Sequence, residues 1–271
     1  MKKALLFIAL FVSSFVLVAC GGASDDAQVF IVGLECDYAP FNWTTTDSSA
    51  EPIDGINAYC DGYDVEIARR VAEGLGRDLV IKKVDWDGII PALNAGIIDA
   101  IIAGMSPTEP RKEVVAFSDA YFRSDQVLIV QANSSFVGAT SLADLGTISV
   151  IAQRGTLQDD LILQIPGAVR REALDNYPAL VAQVNSGITD ALIAEAAVAR
   201  AIVANNPSLT MITFAQGSGF TLNESDVTVS IAVRLNEAAD LIPQINAILA
   251  GISDQEREEL MTQAENNQPS S

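Results

Sequence analysis

The sequence contains no histidine and only three cysteines among its 271 residues. The missing histidine excludes Ser-His-Asp triads and Cys-His nucleophile pairs, and with so few cysteines almost no ligand set for zinc remains. Basic residues are also scarce, with 16 Lys and Arg against 35 Asp and Glu and a net charge of −19 at pH 7. Such a surface repels nucleic acid and anionic lipid headgroups, so neither is a predicted partner. No metal and no cofactor is predicted.

Long hydrophobic runs are missing except at the N-terminus. Residues 4–19 are almost wholly apolar behind a basic start. This run is too short and too N-terminal for an ordinary membrane-spanning helix, so residues 1–19 are predicted to be a signal peptide. The run ends in Leu17-Val18-Ala19-Cys20, which resembles a bacterial lipobox. The resemblance implies that Cys20 is lipidated and that residues 20–27 form a tether to the outer face of a membrane; the alternative is an ordinary cleaved signal.

Two cysteines remain if Cys20 carries lipid. In an oxidising compartment Cys36 and Cys60 are predicted to form a disulfide, with two unpaired thiols as the alternative. The bond would close a polar loop and stabilise the fold by about 3 kcal/mol through loop entropy.

The rest of the chain, roughly 250 residues, is long enough for one large α/β domain or for two lobes. Buried apolar runs alternate with amphipathic segments, which predicts mostly parallel sheets covered by helices. Two extended runs, at residues 127–131 and 227–233, stand outside this alternation. They are predicted to be the two crossings between lobes.

Four segments in a fixed order resemble the polar amino-acid family of periplasmic solute-binding proteins, which feed ATP-driven importers. The segments are residues 32–41 (VGLECDYAPF), 62–68 (GYDVEIA), 86–111 (WDGIIPALNAGIIDAIIAGMSPTEPR), and 154–156 (RGT) with 186–195 (SGITDALIAE). The resemblance covers nearly all of the mature chain. It implies the two-lobed periplasmic-binding-protein (Venus-flytrap) fold, with residues 28–123 and 230–271 in lobe 1 and residues 124–229 in lobe 2.

The resemblance also implies an amino-acid site between the lobes. A buried amino acid needs an opposite charge for both its carboxylate and its ammonium. Arg111 matches the family's carboxylate-binding arginine, and its rigid guanidinium suits a bidentate contact. Ser106 would add a hydroxyl, and the backbone at Gly104 would accept from the ammonium. Pairing of Arg111 with a local acid such as Glu109 is the alternative.

Three residues of the second lobe match the same site. Glu195 follows a buried run and matches an acid, most often aspartate, that pairs with the ligand ammonium. Its alternative role is that of a helix N-terminal acid. Thr156 and Leu157 open a helix whose free N–H groups can bind the carboxylate, and a simple helix start is the alternative.

Tyr38 and Trp86 match the positions of rings that flank the ligand side chain, with core packing as the alternative. Glu35 matches a position that contacts a cationic side chain in some relatives, and otherwise it would be a solvated acid. Glu35 together with Trp86 favours a basic amino acid, Arg or Lys, slightly.

The predicted function is therefore that of a receptor, not an enzyme. It binds a free L-amino acid outside the cytoplasmic membrane and delivers it to an ABC permease by hinge closure, as a monomer anchored to the membrane. The alternative is a cyclohexadienyl dehydratase-like enzyme on the same scaffold, with Glu195 or Glu35 as acid or base. A sensory module would require a further transmembrane or signalling segment.

Overall fold

The computed structural model describes residues 29–269. The predicted signal peptide, the lipidation site Cys20 and the tether at residues 20–27 lie outside the described residues. Within residues 29–269, no helix is both long enough and apolar enough to cross a bilayer.

The described chain forms fourteen strands and eight α-helices. The strands are β1 Val29–Leu34, β2 Asp37–Tyr38, β3 Asn42–Thr45, β4 Glu51–Pro52, β5 Tyr59–Asp61, β6 Asp78–Lys83, β7 Ala100–Ile101, β8 Ala116–Arg123, β9 Gln126–Gln131, β10 Ser149–Ile151, β11 Val169–Arg170, β12 Ala191–Glu195, β13 Leu209–Ile212 and β14 Thr228–Val233. The helices are α1 Tyr63–Gly74, α2 Trp86–Asn94, α3 Glu109–Lys112, α4 Leu157–Leu161, α5 Tyr177–Asn185, α6 Ala196–Asn205, α7 Ala238–Ala250 and α8 Asp254–Asn267. Short 3₁₀ turns occupy Leu142–Leu145, Ile162–Gln164 and Glu224–Asp226.

Two five-stranded sheets form the centres of the two lobes. The first has the order β6-β1-β7-β14-β8, and the second has the order β11-β10-β12-β9-β13. In each sheet four strands run in the same direction, and one inner strand, β14 in the first sheet and β9 in the second, runs antiparallel to both of its neighbours. Helices cover the parallel strands, so these strands are apolar on both faces, and all five residues of β12 are buried. The predicted two-lobed α/β architecture is confirmed.

The two extended runs predicted as crossings are strands of the sheets instead. Residues 127–131 lie in β9, between β12 and β13, and residues 228–233 form β14, between β7 and β8. Both are apolar because they are inner strands with buried faces. The chain changes sheets over residues 124–125 and again over residues 213–227. The exact lobe boundaries stay a prediction.

A third, antiparallel sheet with the order β2-β3-β5-β4 extends the first lobe beside the cleft. The predicted disulfide between Cys36 and Cys60 is confirmed and joins the chain just before β2 to β5. Both cysteines are fully buried, with their Cα atoms 5.7 Å apart. The bond therefore fixes the start of the segment that carries Tyr38.

Candidate ligand-binding cleft

A narrow cavity between the two lobes is lined by all nine residues predicted for the site. They are Glu35, Tyr38, Trp86, Gly104, Ser106, Arg111, Thr156, Leu157 and Glu195, joined by Gln153 and Gln158. Several of these residues follow the carboxyl ends of parallel strands, with Glu35 after β1 and Gln153 after β10. Open α/β sheets collect binding residues at this edge. The structure thus brings the predicted residues of both lobes to one place.

Arg111 projects from the short helix α3 towards this cavity. Its Nη1 donates to the backbone oxygen of Ser106 at 2.9 Å, and its Cζ lies 4.9 Å from the centroid of the Trp86 ring. Burial lowers the pKa of Arg111 to about 10, partly offset by the charges of Glu195 and Asp160, so the guanidinium stays protonated at neutral pH. Glu109 pairs with Lys112 instead, at 2.8 Å. The alternative of a local Arg111–Glu109 pair does not apply in this structure.

Gly104 forms a tight contact at the floor of the cavity. Its φ is +58°, and a Cβ at this position would lie 2.8 Å from Cε1 of Tyr38. Both the left-handed backbone and the close approach of the ring require glycine here. The Gly104 N–H donates to the buried Tyr121 hydroxyl at 3.0 Å, while Ser106 nearby is only 4% exposed.

Glu195 faces Arg111 from the other lobe. It ends β12, is 3% exposed, and accepts a hydrogen bond from the Tyr38 hydroxyl. Burial raises the pKa of Glu195, while the Tyr38 hydrogen bond and the Arg111 charge act in the opposite direction. Although Glu195 is the N-cap residue of α6, its side chain makes no capping hydrogen bond. Its carboxylate is directed into the cleft, which the helix-dipole alternative does not explain.

The start of α4 forms the wall opposite Arg111. The Thr156 hydroxyl accepts from the Asp159 N–H at 3.3 Å and donates to the Gln153 backbone oxygen at 2.7 Å. The backbone oxygen of Gly155 accepts from Trp86 Nε1 at 3.2 Å and from Arg111 Nη2 at 3.4 Å. These bonds join the lobes, so the helix start is also an interlobe contact.

Glu35 is a buried acid rather than a solvated one. It is 5% exposed and accepts from Nε2 of Gln153 at 2.7 Å across the cleft. Burial raises the pKa of Glu35 to about 8, with the Gln153 hydrogen bond acting against it. The same Gln153 nitrogen donates to the backbone oxygen of Asp175 at 2.9 Å, which fixes its direction.

The aromatic wall contains one ring that the sequence reasoning missed. Tyr38 packs on Phe41 at 5.4 Å and on Tyr177 at 4.7 Å between ring centroids. Tyr177 is buried, at the start of α5 in the second lobe. Trp86 instead lies against the Arg111 guanidinium. Tyr38 therefore combines core packing with a hydroxyl in the cleft.

Gln153 and Gln158 were also missed as lining residues. Gln158 Nε2 donates to Oε1 of Gln126 at 3.0 Å, next to the chain's crossing between sheets. Both glutamines stand within three residues of Thr156. Their closeness to the Arg154-Gly155-Thr156 segment could have indicated that they line the cleft. An amide side chain carries no charge, however, so the residue type alone does not suggest a partner for a charged ligand.

Comparison with known proteins places the chain in a family. The family model for bacterial extracellular solute-binding proteins, family 3, matches residues 30–263. The arginine-binding extracellular protein ArtP of Bacillus subtilis is 27% identical over 94% of both chains. The glutamine-binding ABC transporter protein GlnH of the same species is 32% identical over 70% of this chain and 66% of its own.

Solved structures of similar proteins share the fold. An arginine-bound substrate-binding protein of an amino-acid ABC transporter, AbpA of Streptococcus pneumoniae, superposes with a TM-score of 0.75 at 25% identity, covering 88% of this chain and 95% of its own. An arginine-bound Gly52Ala mutant of ArgBP from T. maritima gives 0.70 at 33% identity, covering 83% and 96%. An ancestral amino-acid-binding protein described as a precursor of cyclohexadienyl dehydratase gives 0.72 at 27% identity, covering 87% and 95%.

Proposed function

This chain belongs to the bacterial extracellular solute-binding proteins of family 3, and we propose that it binds a free amino acid between its lobes and delivers it to an ABC importer. The observation that carries the proposal is the pair Arg111 and Glu195, which face one cavity from opposite lobes. A cation and a carboxylate so placed match the two charges of an amino acid. Contacts from both lobes would favour a closed form once the ligand is bound.

The proposed ligand class is a basic amino acid, with L-arginine as the first choice. Glu35 and Glu195 are two buried carboxylates lining one cavity, while Arg111 is its one lining cation within residues 29–269. A zwitterion satisfies Arg111 and Glu195 and leaves Glu35 for a cationic side chain. Burial raises the pKa of both acids, because an ionised carboxylate is unfavourable away from water. A cation beside them would stabilise the ionised form. Two matched relatives named above are arginine-binding proteins.

The proposed location is the outer face of a membrane. It is supported by the family's extracellular character and by the lipobox-like segment at Cys20. We expect the signal peptide to be removed and Cys20 to carry lipid, with the protein acting as a monomer. Metabolic labelling with palmitate tests this: label should enter the wild-type protein and be lost in Cys20→Ala.

Titration calorimetry of the purified protein with the common amino acids tests the proposed function. We expect tight binding of L-arginine and a loss of about 2 kcal/mol or more in Arg111→Ala, because a buried carboxylate would lose its partner. Lys112→Ala is the matched control, since Lys112 lies on the same helix but pairs with Glu109. Unchanged binding in Arg111→Ala would overturn the site, and no binding of any amino acid would overturn the function.

The dehydratase alternative has weaker support. One structural relative is described as a precursor of such an enzyme, yet it is itself an amino-acid-binding protein. The matched relatives named above are binding proteins as well. Product formation from prephenate or arogenate by the wild-type protein would be evidence for the dehydratase alternative.

A further inference from the structure

Asp64 is a fully buried carboxylate behind the floor of the cleft. It lies in the first turn of α1 at 0% exposure. Its Oδ1 accepts from the Tyr121 hydroxyl at 2.7 Å, and its Oδ2 accepts from Nδ2 of Asn42 at 2.8 Å. Within residues 29–269 no lysine or arginine pairs with it. A buried acid without a paired cation carries a desolvation cost, so its presence here needs an explanation.

A short hydrogen-bonded path connects Asp64 to the cavity. The Tyr121 hydroxyl donates to Asp64 and accepts from the Gly104 N–H at 3.0 Å. The negative charge draws the hydroxyl proton and makes the Tyr121 oxygen a better acceptor for Gly104. The path thus holds the Gly104 peptide from behind. Gly104 lines the cavity and touches the Tyr38 ring.

Electrostatics connects Asp64 to the opposite wall as well. Burial raises the pKa of Asp64 to about 7, the Tyr121 and Asn42 hydrogen bonds and the Gly104 N–H act against it, and the charge of Glu195 raises it further. Asp64 and Glu195 therefore repel each other through the site. A cation between Gly104 and Glu195 would relieve this repulsion and attract both acids.

Two simpler explanations for the buried Asp64 account for fewer of its contacts. An acid in the first turn stabilises the dipole of α1, but Glu66 already provides this from the partly exposed face, where it pairs with Arg69 and Arg70. A purely structural network would be expected to satisfy its members, yet Oδ1 of Asn42 is buried without a hydrogen-bond partner.

We propose that Asp64 is a positioning residue for the ligand's ammonium group: acting through Tyr121, it fixes the Gly104 peptide and places a second negative charge beneath the ammonium, opposite Glu195. The inference rests on the proposed function, because it needs an amino acid in this cleft. It assigns to α1 a role in recognition although no atom of Asp64 lines the cavity.

The variant Asp64→Asn separates charge from geometry. The new amide can still accept from Tyr121, and its NH₂ can donate to Oδ1 of Asn42 once the Asn42 amide turns over, which gives that buried oxygen a partner. The probes are L-arginine and argininic acid, in which a hydroxyl replaces the α-ammonium. We expect Asp64→Asn to weaken L-arginine binding about tenfold, the scale of a hydrogen bond to a charged group, and argininic acid binding much less.

A second variant and a control complete the calorimetric experiment. Tyr121→Phe keeps the ring that stacks on Tyr63 but breaks the path to Gly104, so it should show the same selective loss. It decides the question alone if Asp64→Asn fails to fold. Glu66→Gln removes the other first-turn acid of α1 and should leave both affinities unchanged.

The outcomes separate the two claims. Equal losses for both probes, or no loss for either, would overturn the role of Asp64 while leaving the proposed function intact. If the wild-type protein binds no amino acid at all, the proposed function fails, and the inference fails with it; if it binds an amino acid other than L-arginine, that amino acid and its α-hydroxy analogue become the two probes.

Discussion

Glu35 shows how burial changes the chemistry of a single residue. In solution its carboxyl would be ionised at pH 7, but burial raises its pKa to about 8, with Asp37 and Asp85 adding to the rise and Lys83 and Gln153 opposing it. The folded protein holds this proton more tightly than the unfolded chain. Its contribution to the free energy of unfolding therefore falls as the pH rises from about 4.5 towards 8.

Binding of L-arginine is accordingly expected to release a proton. A guanidinium beside Glu35 favours the ionised carboxylate, so affinity should rise between pH 6 and pH 8, and the binding enthalpy should change with the ionisation enthalpy of the buffer. Calorimetry in phosphate and in Tris measures this directly. Glu35→Gln has no proton to release, so its enthalpies should differ less between the buffers. Equal buffer dependence in both proteins would place the proton elsewhere.

The site residues that stand in the family-like segments could be predicted from sequence, whether charged or not, whereas Gln153, Gln158 and Tyr177 could not. Arg111 and Glu195 stand in segments that resemble the family, and it is this position, not the residue type, that favours a site residue over a local ion pair or a helix N-terminal acid. Gln153 reaches the cleft through its hydrogen bond to Glu35 of the other lobe, and Tyr177 packs on Tyr38 because α5 contacts β2. Nothing in their local sequence distinguishes them from surface or core residues.

At the scale of elements, the small sheet of β2, β3, β5 and β4 depends on the disulfide. Its strands have two to four residues each, too few for a stable sheet without support. The Cys36–Cys60 bond closes a loop with a sequence separation of 24 and anchors both sides of this sheet. The position of Tyr38 follows from that anchor.

Replacement of both cysteines, Cys36→Ser with Cys60→Ser, is expected to lower the free energy of unfolding by about 3 kcal/mol. The reason is the larger conformational entropy of the unbridged unfolded chain. Urea denaturation of the disulfide-bonded wild type and of the double variant checks the value. A midpoint equal to that of the wild type would show that the sheet holds without the bond.

Long amphipathic or apolar elements were predictable, and short or central ones were not. Val65, Ala68 and Val71 recur at a spacing that is typical of an amphipathic helix, and they form part of the buried face of α1. The strand β8 was missed because its burial is irregular, with Asp119 exposed between the buried Ser118 and the half-buried Ala120. The strands β9 and β14 were placed at the crossings because an isolated apolar run does not reveal its neighbours in a sheet.

At the scale of the whole molecule, α8 contacts both lobes. It packs on α1 of the first lobe, where Glu256 pairs with Arg70, and on α6 of the second. There Oε1 of Glu265 accepts from Nη2 and Nε of Arg200, at 2.7 Å and 3.0 Å. This ion pair joins the lobes outside the cleft.

Glu265→Gln is expected to weaken ligand binding although it touches no ligand. If the Arg200–Glu265 pair forms only when the lobes close, its loss disfavours the closed form by the free energy of a surface pair, so affinity should fall up to about fivefold. Glu256→Gln is the matched control, because its partner Arg70 lies in the same lobe as the base of α8. Equal affinity in all three proteins would show that the pair is indifferent to closure.

If the Arg200–Glu265 pair forms only on closure, the contact of α8 with both lobes implies that selectivity and strength of capture are encoded in different parts of the chain. The cleft residues would then decide which molecule is recognised. Contacts on the far side of the molecule would set how much of the binding free energy is needed to bring the lobes together. Substitutions far from the cleft can then adapt the protein to scarce or abundant supplies of one nutrient without changing which nutrient it takes.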